Sequence, residues 1–393
     1  MGVHKTIKSS YLAFEQALSN NRVLDWKWFL EQEANTWSAW VDIPVGKRLQ
    51  MWRRGFTSPC GALYDFDRFG YDAYLSELQK NRLYRAANGS HRYLLDDKLS
   101  QHWMLTDYSE HRPAAYGLLD RGRIHATADS VLQGGSLPIT EWLPEKLRAE
   151  SKLVLKHLRG KGGKEVLVPS YDEAEGFLLD GRPVSERELC ETVEPLSNYL
   201  VTEFVEQHSY ADALYPAASN TIRLLTVWDD IAEELFTPVG IHRIGTARSS
   251  PIDNFSAGGF SVALDLETGT LEYAVQFPFD GTASWFSSHP DTGEEIYGTQ
   301  IPHWDRIRNT VEQIARDNTN IPIIGWDILL NTDGQPVILE ANTGTSLDLL
   351  QVHQPLLTDP DIARVVSRYL PEVKSGGSQE PDDKERDAPE LTV

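Results

Sequence analysis

The chain has 393 residues, which is enough for one large core or for two to three packed subdomains. Its 58 acidic residues outnumber 37 basic ones, and the formal charge of −21 argues against non-specific nucleic-acid binding. Cys60 and Cys190 lie far apart in sequence without ligand-like spacing, which argues against a disulfide framework or a zinc site. No apolar run approaches the roughly 20 residues that span a bilayer.

Residues 1–95 are predicted to be mostly helical. They begin without the hydrophobic stretch of a secretion signal, so we expect a cytoplasmic protein. Apolar side chains such as Phe14 and Leu18 recur at spacings near three and four. One more helix is predicted over residues 92–105, and it carries Lys98 into the following region.

Residues 96–206 show short strands and short helices. A strand from Leu153 to Lys156 enters a glycine-rich basic loop, residues 159–164, and a second strand follows. The loop's glycines allow close approach of the backbone to an anion. A Walker-type loop would open a long helix instead. The loop therefore either covers phosphates from a hairpin or is an exposed basic turn.

An apolar strand turns polar between Tyr199 and His208. Glu203 and Val205 lie at this transition. A strand end of this kind can offer backbone groups to an adenine edge and a carboxylate to ribose hydroxyls. An ordinary strand end without a ligand has the same pattern, so both interpretations stay open here.

Residues 207–373 are rich in strands up to Asp305. Arg223 and Arg243 occupy strand positions, and each needs an anionic partner if it points inward, although surface ion pairs would also satisfy it. The loop of residues 252–259 ends in two glycines and contains Asn254. It either closes over a substrate or is a long hairpin connection.

The most informative segment is a predicted hairpin near the end of this region. Asp333-Gly334 is flanked by apolar runs, which is the strongest short-range signal for a hairpin with a two-residue turn. Pairing outward from that turn places Asp327 directly opposite Glu340.

Directly opposed side chains have Cβ atoms about 5 Å apart, and like charges at that distance are destabilising unless a cation lies between them. Asn342 shares the face of Glu340, and its opposite residue Gly325 leaves room. Two carboxylates and an amide oxygen suit Mg²⁺ that also binds substrate phosphates. The alternative is a solvated edge hairpin with an accidental acidic pair.

Taken together, these motifs resemble the ATP-grasp superfamily and, more narrowly, its sugar-transfer-associated group. The resemblance covers about residues 95–355. It is carried by the Lys156 strand with its Gly160–Gly163 loop, Glu203-Phe-Val205, Asn220-Thr-Ile-Arg223, Arg243, Asp253-Asn254 with Gly258-Gly259, Gly325-Trp-Asp327 and Leu339-Glu340-Ala-Asn342.

The resemblance implies an α+β ATP-grasp fold in which two α+β lobes sandwich ATP, preceded here by a helical N-terminal region. We expect a linker and N-terminal lobe at 96–206 and a C-terminal lobe with the metal site at 207–373. Residues 374–393 have almost nothing to bury, so we expect a disordered acidic tail.

The resemblance also implies roles for individual residues. The nucleotide-binding positions are Lys98, Lys156, Gly162, Gly163, Glu203, Val205 and His208. Those that would hold Mg²⁺ are Asp327, Glu340 and Asn342. The catalytic positions are Arg223 and Arg243, which would neutralise the transferred phosphoryl group, and Asn254.

The activity implied is an ATP-dependent carboxylate–amine ligase that forms an amide through an acyl phosphate. Its partners would be ATP, a small or sugar-linked carboxylate and an amine, with surface-polysaccharide or sugar-conjugate assembly as the setting. One alternative is an ATP-grasp kinase that phosphorylates a sugar or another hydroxyl acceptor. Another is a nucleotide-binding protein without chemistry, which would lack a metal ligand or a phosphate-facing lysine.

Overall fold

The structure is a computed structural model that describes residues 22–37, 43–132, 134–160 and 165–373, together with Leu391. Three expectations lie outside these residues. They are the helical structure before residue 22, which includes Phe14 and Leu18, the placement of Gly162 and Gly163 in the glycine-rich loop, and the disordered tail, apart from Leu391.

The described part of the N-terminal region is helical, as predicted. Its helices are α1 (Arg22–Trp37), α2 (Val45–Trp52), α3 (Cys60–Leu63), α4 (Phe66–Phe69), α5 (Glu77–Asn88), α6 (Arg92–Leu95) and α7 (Lys98–Met104). The prediction of a single helix over 92–105 is wrong, because the helix is interrupted between α6 and α7. Asp97 accepts hydrogen bonds from the backbone N–H groups of Leu99 and Ser100, at 3.1 and 3.0 Å, and so starts a new helix.

The first sheet has six antiparallel strands in the order β3-β2-β1-β9-β4-β5. Helices α8 and α9 pack against it in one apolar core, and β6, β7 and β8 form a small separate sheet. In chain order these elements are β1 (Ala115–Asp120), β2 (Arg123–His125), β3 (Ser136–Pro138), α8 (Ile139–Glu150), β4 (Leu153–His157), β5 (Val166–Leu167), β6 (Pro169–Asp172), β7 (Gly176–Leu179), β8 (Arg182–Pro183), α9 (Glu186–Val193) and β9 (Ser197–Glu203).

The second sheet has seven antiparallel strands in the order β14-β13-β12-β11-β10-β15-β16. Its elements, with the helices around it, are α10 (Ser209–Leu214), β10 (Thr221–Asp229), β11 (Glu234–Ile244), β12 (Phe260–Leu264), β13 (Leu271–Gln276), β14 (Ser284–Phe286), α11 (Trp304–Arg316), β15 (Ile323–Leu330), β16 (Pro336–Asn342), α12 (Asp348–Gln351) and α13 (Pro360–Tyr369). None of the described helices is both long and apolar enough to cross a bilayer.

Alternation along β10 separates the two faces of the second sheet. Ile222 and Leu224 pack with α11 in one core, whereas Leu225 and Val227 pack with the N-terminal helices in another. Arg223 is on the same face as Leu225, because side chains alternate along a strand. The predicted site therefore lies on the face that the N-terminal helices partly cover.

Two buried amides tie the N-terminal helices to this face. The Asn88 side chain donates to the Ile323 carbonyl at 2.8 Å and accepts from the Ile323 N–H at 3.0 Å. Gln351 makes the same double contact with the backbone of Leu75, at 2.9 and 2.8 Å. Because backbone groups of this kind are costly to bury unpaired, the helices and the sheet are expected to fold as one unit.

Candidate active site

The strands β15 and β16 form the predicted hairpin, and Asp327 lies opposite Glu340 as expected. Gly325 lies opposite Asn342, which was also predicted. The Asn342 amide approaches Asp327, with 3.4 Å between Nδ2 and Oδ2. The hairpin therefore brings the two carboxylates and the amide together.

The predicted two-residue turn, however, is wrong. The Asn331 N–H donates to the Gln335 carbonyl at 3.0 Å, and this leaves a three-residue loop that ends at Gly334, where φ is 72°. Beyond the turn, Ile328 pairs with Ile338, one residue out of the predicted register. A bulge before residue 340 restores the predicted register. The error in turn length and the unpredicted bulge therefore offset each other at Asp327 and Glu340.

Arg223 supports Asp327 from the neighbouring strand. Its Nη2 is 2.7 Å from Asp327 Oδ2, its Nε donates to Oδ1, and its Nη1 donates to the Thr345 hydroxyl at 2.5 Å. Burial would raise the pKa of Asp327, but Arg223 and Arg243 outweigh it and hold that pKa below its ordinary value. All three guanidinium nitrogens of Arg223 thus have protein partners, and its catalytic role stays a prediction.

Arg243 lies between two carboxylates. Its Nη2 is 2.6 Å from Asp253 Oδ1, and its Nη1 is 3.4 Å from Asp327 Oδ1. Its Nε is buried and has no hydrogen-bond partner among the described residues. Burial raises the pKa of Asp253, although Arg243 opposes that change. The predicted anionic partners of both arginines are thus buried aspartates.

Two lysines approach the other carboxylate of the hairpin. Lys98 Nζ is 3.0 Å from Glu340 Oε1 and 2.8 Å from the carbonyl oxygen of Gly160. Burial lowers the pKa of Lys156 despite the opposing effect of Glu340, and the nearby Lys98 lowers it further. Lys156 comes from β4 of the first sheet and Glu340 from β16 of the second, so the predicted phosphate-binding lysines lie where the two sheets meet.

The segment from Glu203 to His208 connects the two sheets. Glu203 ends β9, and its Oε1 accepts a hydrogen bond from the Ala114 N–H at 2.8 Å. Val205 follows in the connection. The His208 N–H donates to the Leu330 carbonyl at 2.8 Å, and its ring caps α10. The nucleotide-binding roles of these residues stay predictions.

Asn254 caps the turn that it starts. Its Oδ1 accepts hydrogen bonds from the N–H and the hydroxyl of Ser256, at 3.0 and 2.9 Å. This holds the shape of the loop beside Asp253. The catalytic role of Asn254 stays a prediction.

Sequence reasoning missed two residues that contact the arginines. Asp253 was named as part of a sequence motif but was given no role. Thr345 was not predicted, because it lies in an irregular loop without a recognisable sequence pattern. One clue to Thr345 was Gly325, since a Cβ at that glycine would lie 2.8 Å from Thr345 Cβ. The sequence alone does not show which loop approaches the glycine.

The oxygen donors fit a hard divalent cation in part. Glu340 Oε2 and the Asn342 amide oxygen accept no hydrogen bond from the described residues. The four acceptor positions of Asp327 are all occupied, two by Arg223 and one each by Arg243 and Asn342. Within the described ranges no three His, Cys, Asp or Glu side chains form a metal cluster. Glu340 and Asn342 would therefore hold Mg²⁺, and Asp327 would join them by giving up one contact.

A separate open hollow of about 750 Å³ lies at the start of α11, between residues 267–268 and 300–306. It contains none of the predicted site residues. The predicted charged side chains converge between the sheets instead.

The fold and the site define an ATP-grasp protein. The sequence model of the sugar-transfer-associated ATP-grasp family matches residues 78–360, and the chain belongs to this family. No curated protein matches the chain by sequence.

Solved structures similar to the chain include several ATP-grasp enzymes. N5-carboxyaminoimidazole synthase from Aspergillus clavatus has a TM-score of 0.32 and 10% identity, over 64% of this chain and 44% of its own. D-alanine–D-alanine ligase from Bacillus anthracis has a TM-score of 0.35 and 14% identity, over 71% of this chain and 68% of its own. Biotin carboxylase from Campylobacter jejuni has a TM-score of 0.40 and 10% identity, over 73% of this chain and 48% of its own. The chain thus spans less than half the length of the first of these enzymes.

Proposed function

We propose that this protein is an ATP-dependent carboxylate–amine ligase that forms an amide through an acyl phosphate. The observation that carries the proposal is the order of charges across the site. Lys98 contacts Glu340, and Lys156 is near enough for the charge of Glu340 to act on its pKa. Asp327 follows on the next strand, and Arg243 lies beyond it. Cations at both ends of an acidic pair suit the transfer of a phosphoryl group between them.

The end of the site at Lys98 and Lys156 would bind the nucleotide. Lys98 and Lys156 would bind the α- and β-phosphates, and the segment from Glu203 through Val205 to His208 would bind the adenosine. Gly162 and Gly163 would cover the phosphates. Magnesium, when bound, supplies neutralising charge to the phosphate oxygens. Glu340 and Asn342 would hold it, with Asp327.

The end of the site at Arg243 would bind the acceptor carboxylate. An oxygen of the acceptor carboxylate would attack the γ-phosphorus, the bond to the β-phosphate oxygen would break, and ADP would leave. The amine would then attack the acyl carbon, and the carbon–oxygen bond to phosphate would break. Phosphate would leave with one oxygen of the original carboxylate and would take up the proton that the amine nitrogen loses. Arg243 would stabilise the negative charge on the transferred group.

A carboxylate nucleophile needs no general base, whereas a hydroxyl acceptor does. Among the described residues, Asp253 is the carboxylate nearest to Arg243 on that side. Both of its oxygens already accept hydrogen bonds, from Arg243 and from Thr221. This favours the ligase over the kinase alternative. We propose a small or sugar-linked carboxylic acid as the acceptor, in surface-polysaccharide or sugar-conjugate assembly.

Oxygen-18 labelling tests the proposal. The protein is incubated with MgATP and pairs of amines and ¹⁸O-labelled carboxylic acids, and the products are analysed by mass spectrometry. A ligase gives an amide, ADP and free phosphate that carries one ¹⁸O. Phosphate retained on a hydroxyl acceptor would identify a kinase instead, and unlabelled phosphate formed with an amide would exclude the acyl phosphate.

A further inference from the structure

The position of Arg243 depends on a residue outside its own sheet. Asp253 lies in the loop between β11 and β12, yet its Oδ1 is 2.6 Å from Arg243 Nη2. On the other side, Asp327 is 3.4 Å from Nη1. The two terminal nitrogens of the guanidinium group are thus held by carboxylates on opposite sides.

Asp253 is itself fixed by the strand that pairs with Arg243. Its Oδ2 accepts from the Thr221 N–H at 3.0 Å and from the Thr221 hydroxyl. Thr221 is the register partner of Arg243 between β10 and β11. The loop backbone also fits tightly, because a Cβ at Gly259 would lie 2.7 Å from the Asp253 carbonyl oxygen.

This arrangement leaves one of the three guanidinium nitrogens of Arg243 without a partner among the described residues. Nε of Arg243 is buried and donates to none of the described residues, although buried polar groups are rarely left unpaired. Without Asp253, Arg243 could turn toward Asp327 and replace Asn342 at the remaining acceptor position of that carboxylate, which would give it the bidentate geometry that Arg223 already has. Its Nε would then be used by protein and not by ligand.

We infer that Asp253 is a positioning residue, which together with Asp327 holds Arg243 so that its Nε faces the γ-phosphoryl group of the nucleotide. The inference rests on the proposed function, which decides at which end of the site the nucleotide binds. It assigns Asp253 no contact with the substrate. Its effect on the ligand is exerted through Arg243.

Nucleotide affinity tests the inference without knowledge of the acceptor. Dissociation constants for a non-hydrolysable ATP analogue and for ADP, both with Mg²⁺, are measured by calorimetry for the full chain. Asp253→Asn should weaken the ATP analogue about tenfold, the loss expected for one charge-assisted hydrogen bond, and should leave ADP within about twofold. Equal changes for both nucleotides, or no change, would overturn the inference.

A double-mutant cycle separates positioning from general support of the fold. Arg243→Lys should lose the same discrimination, and adding Asp253→Asn to it should have no further effect. Additive losses would show that Asp253 does not act through Arg243. Asp280→Asn is the matched control, since Asp280 also accepts from the N–H and hydroxyl of a threonine, Thr282, and contacts no arginine among the described residues.

If Asp253→Asn does not fold, Thr221→Val gives the same information. It removes only the hydroxyl that Asp253 accepts from and should weaken the ATP analogue by a smaller factor, again without affecting ADP. An unchanged ratio in this variant would overturn the inference. Failure of the proposed function is a separate outcome, because it is read from the labelled phosphate and not from these affinities.

Discussion

Replacing Asn88 tests whether the N-terminal helices and the ATP-grasp sheet form one folding unit. The side chain is 1% exposed and satisfies both the N–H and the carbonyl of Ile323, at the first residue of the strand that carries Asp327. Asn88→Ala leaves two buried backbone groups without these partners. At about 1–3 kcal/mol for each of the two unsatisfied groups, the free energy of unfolding should fall by roughly 2–6 kcal/mol.

Urea unfolding followed by tryptophan fluorescence measures the change, since Trp326 is fully buried in the same strand. Asn318→Ala is the matched control. It removes one hydrogen bond of 2.8 Å, to the Ile314 carbonyl at the end of α11, and should cost about 1 kcal/mol. An Asn88→Ala protein that loses no more stability than this control would show that the contact between the helices and the sheet is dispensable.

Two further substitutions test the loop that follows β16. The pKa of Asp348 is raised to about 6 by burial and by the charge of Glu77. A raised pKa in the folded state lowers stability as pH rises from about 4 through 6, so Asp348→Asn should melt higher than the natural protein at pH 7.5 and equally at pH 4. A constant difference across this range would contradict the assignment. Gly325→Ala places a Cβ 2.8 Å from Thr345 Cβ, and displacing Thr345 removes a partner of Arg223. We expect a loss of about 1–3 kcal/mol in urea unfolding, and a stability equal to that of the natural protein would show that Thr345 moves freely.

The acidic pair could be predicted from the sequence because its signals are local. A turn dipeptide and alternation in two apolar runs predict a hairpin that carries Asp327 and Glu340. Their direct opposition was predicted correctly only because the longer loop and the bulge offset each other. The turn itself was misjudged because the Asn331 side chain accepts from the N–H groups of Asp333 and Gln335, which favours the longer loop. The compensating bulge depends on packing and has no sequence signal.

Contacts between distant segments could not be predicted. The sequence indicated that Arg223 and Arg243 need anionic partners, but only the fold shows that both share Asp327 and that Asp253 is the second partner of Arg243. The contact of Asn88 with Ile323 could not be predicted either, because in the sequence Asn88 has the pattern of an ordinary helix residue. Such pairs are determined by tertiary packing, and no local pattern specifies them.

The central claim is that the acidic pair binds a magnesium nucleotide between the two sheets. The most direct test is the affinity for ATP at increasing free Mg²⁺, compared between the natural protein and Glu340→Gln, which keeps the shape of the side chain and removes its charge. Affinity for ATP should rise with Mg²⁺ in the natural protein. In the variant this Mg²⁺-dependent increase should be at least about tenfold smaller, and turnover should be abolished, while the melting temperature should not change. If the variant responds to Mg²⁺ as the natural protein does, the nucleotide does not bind at the acidic pair.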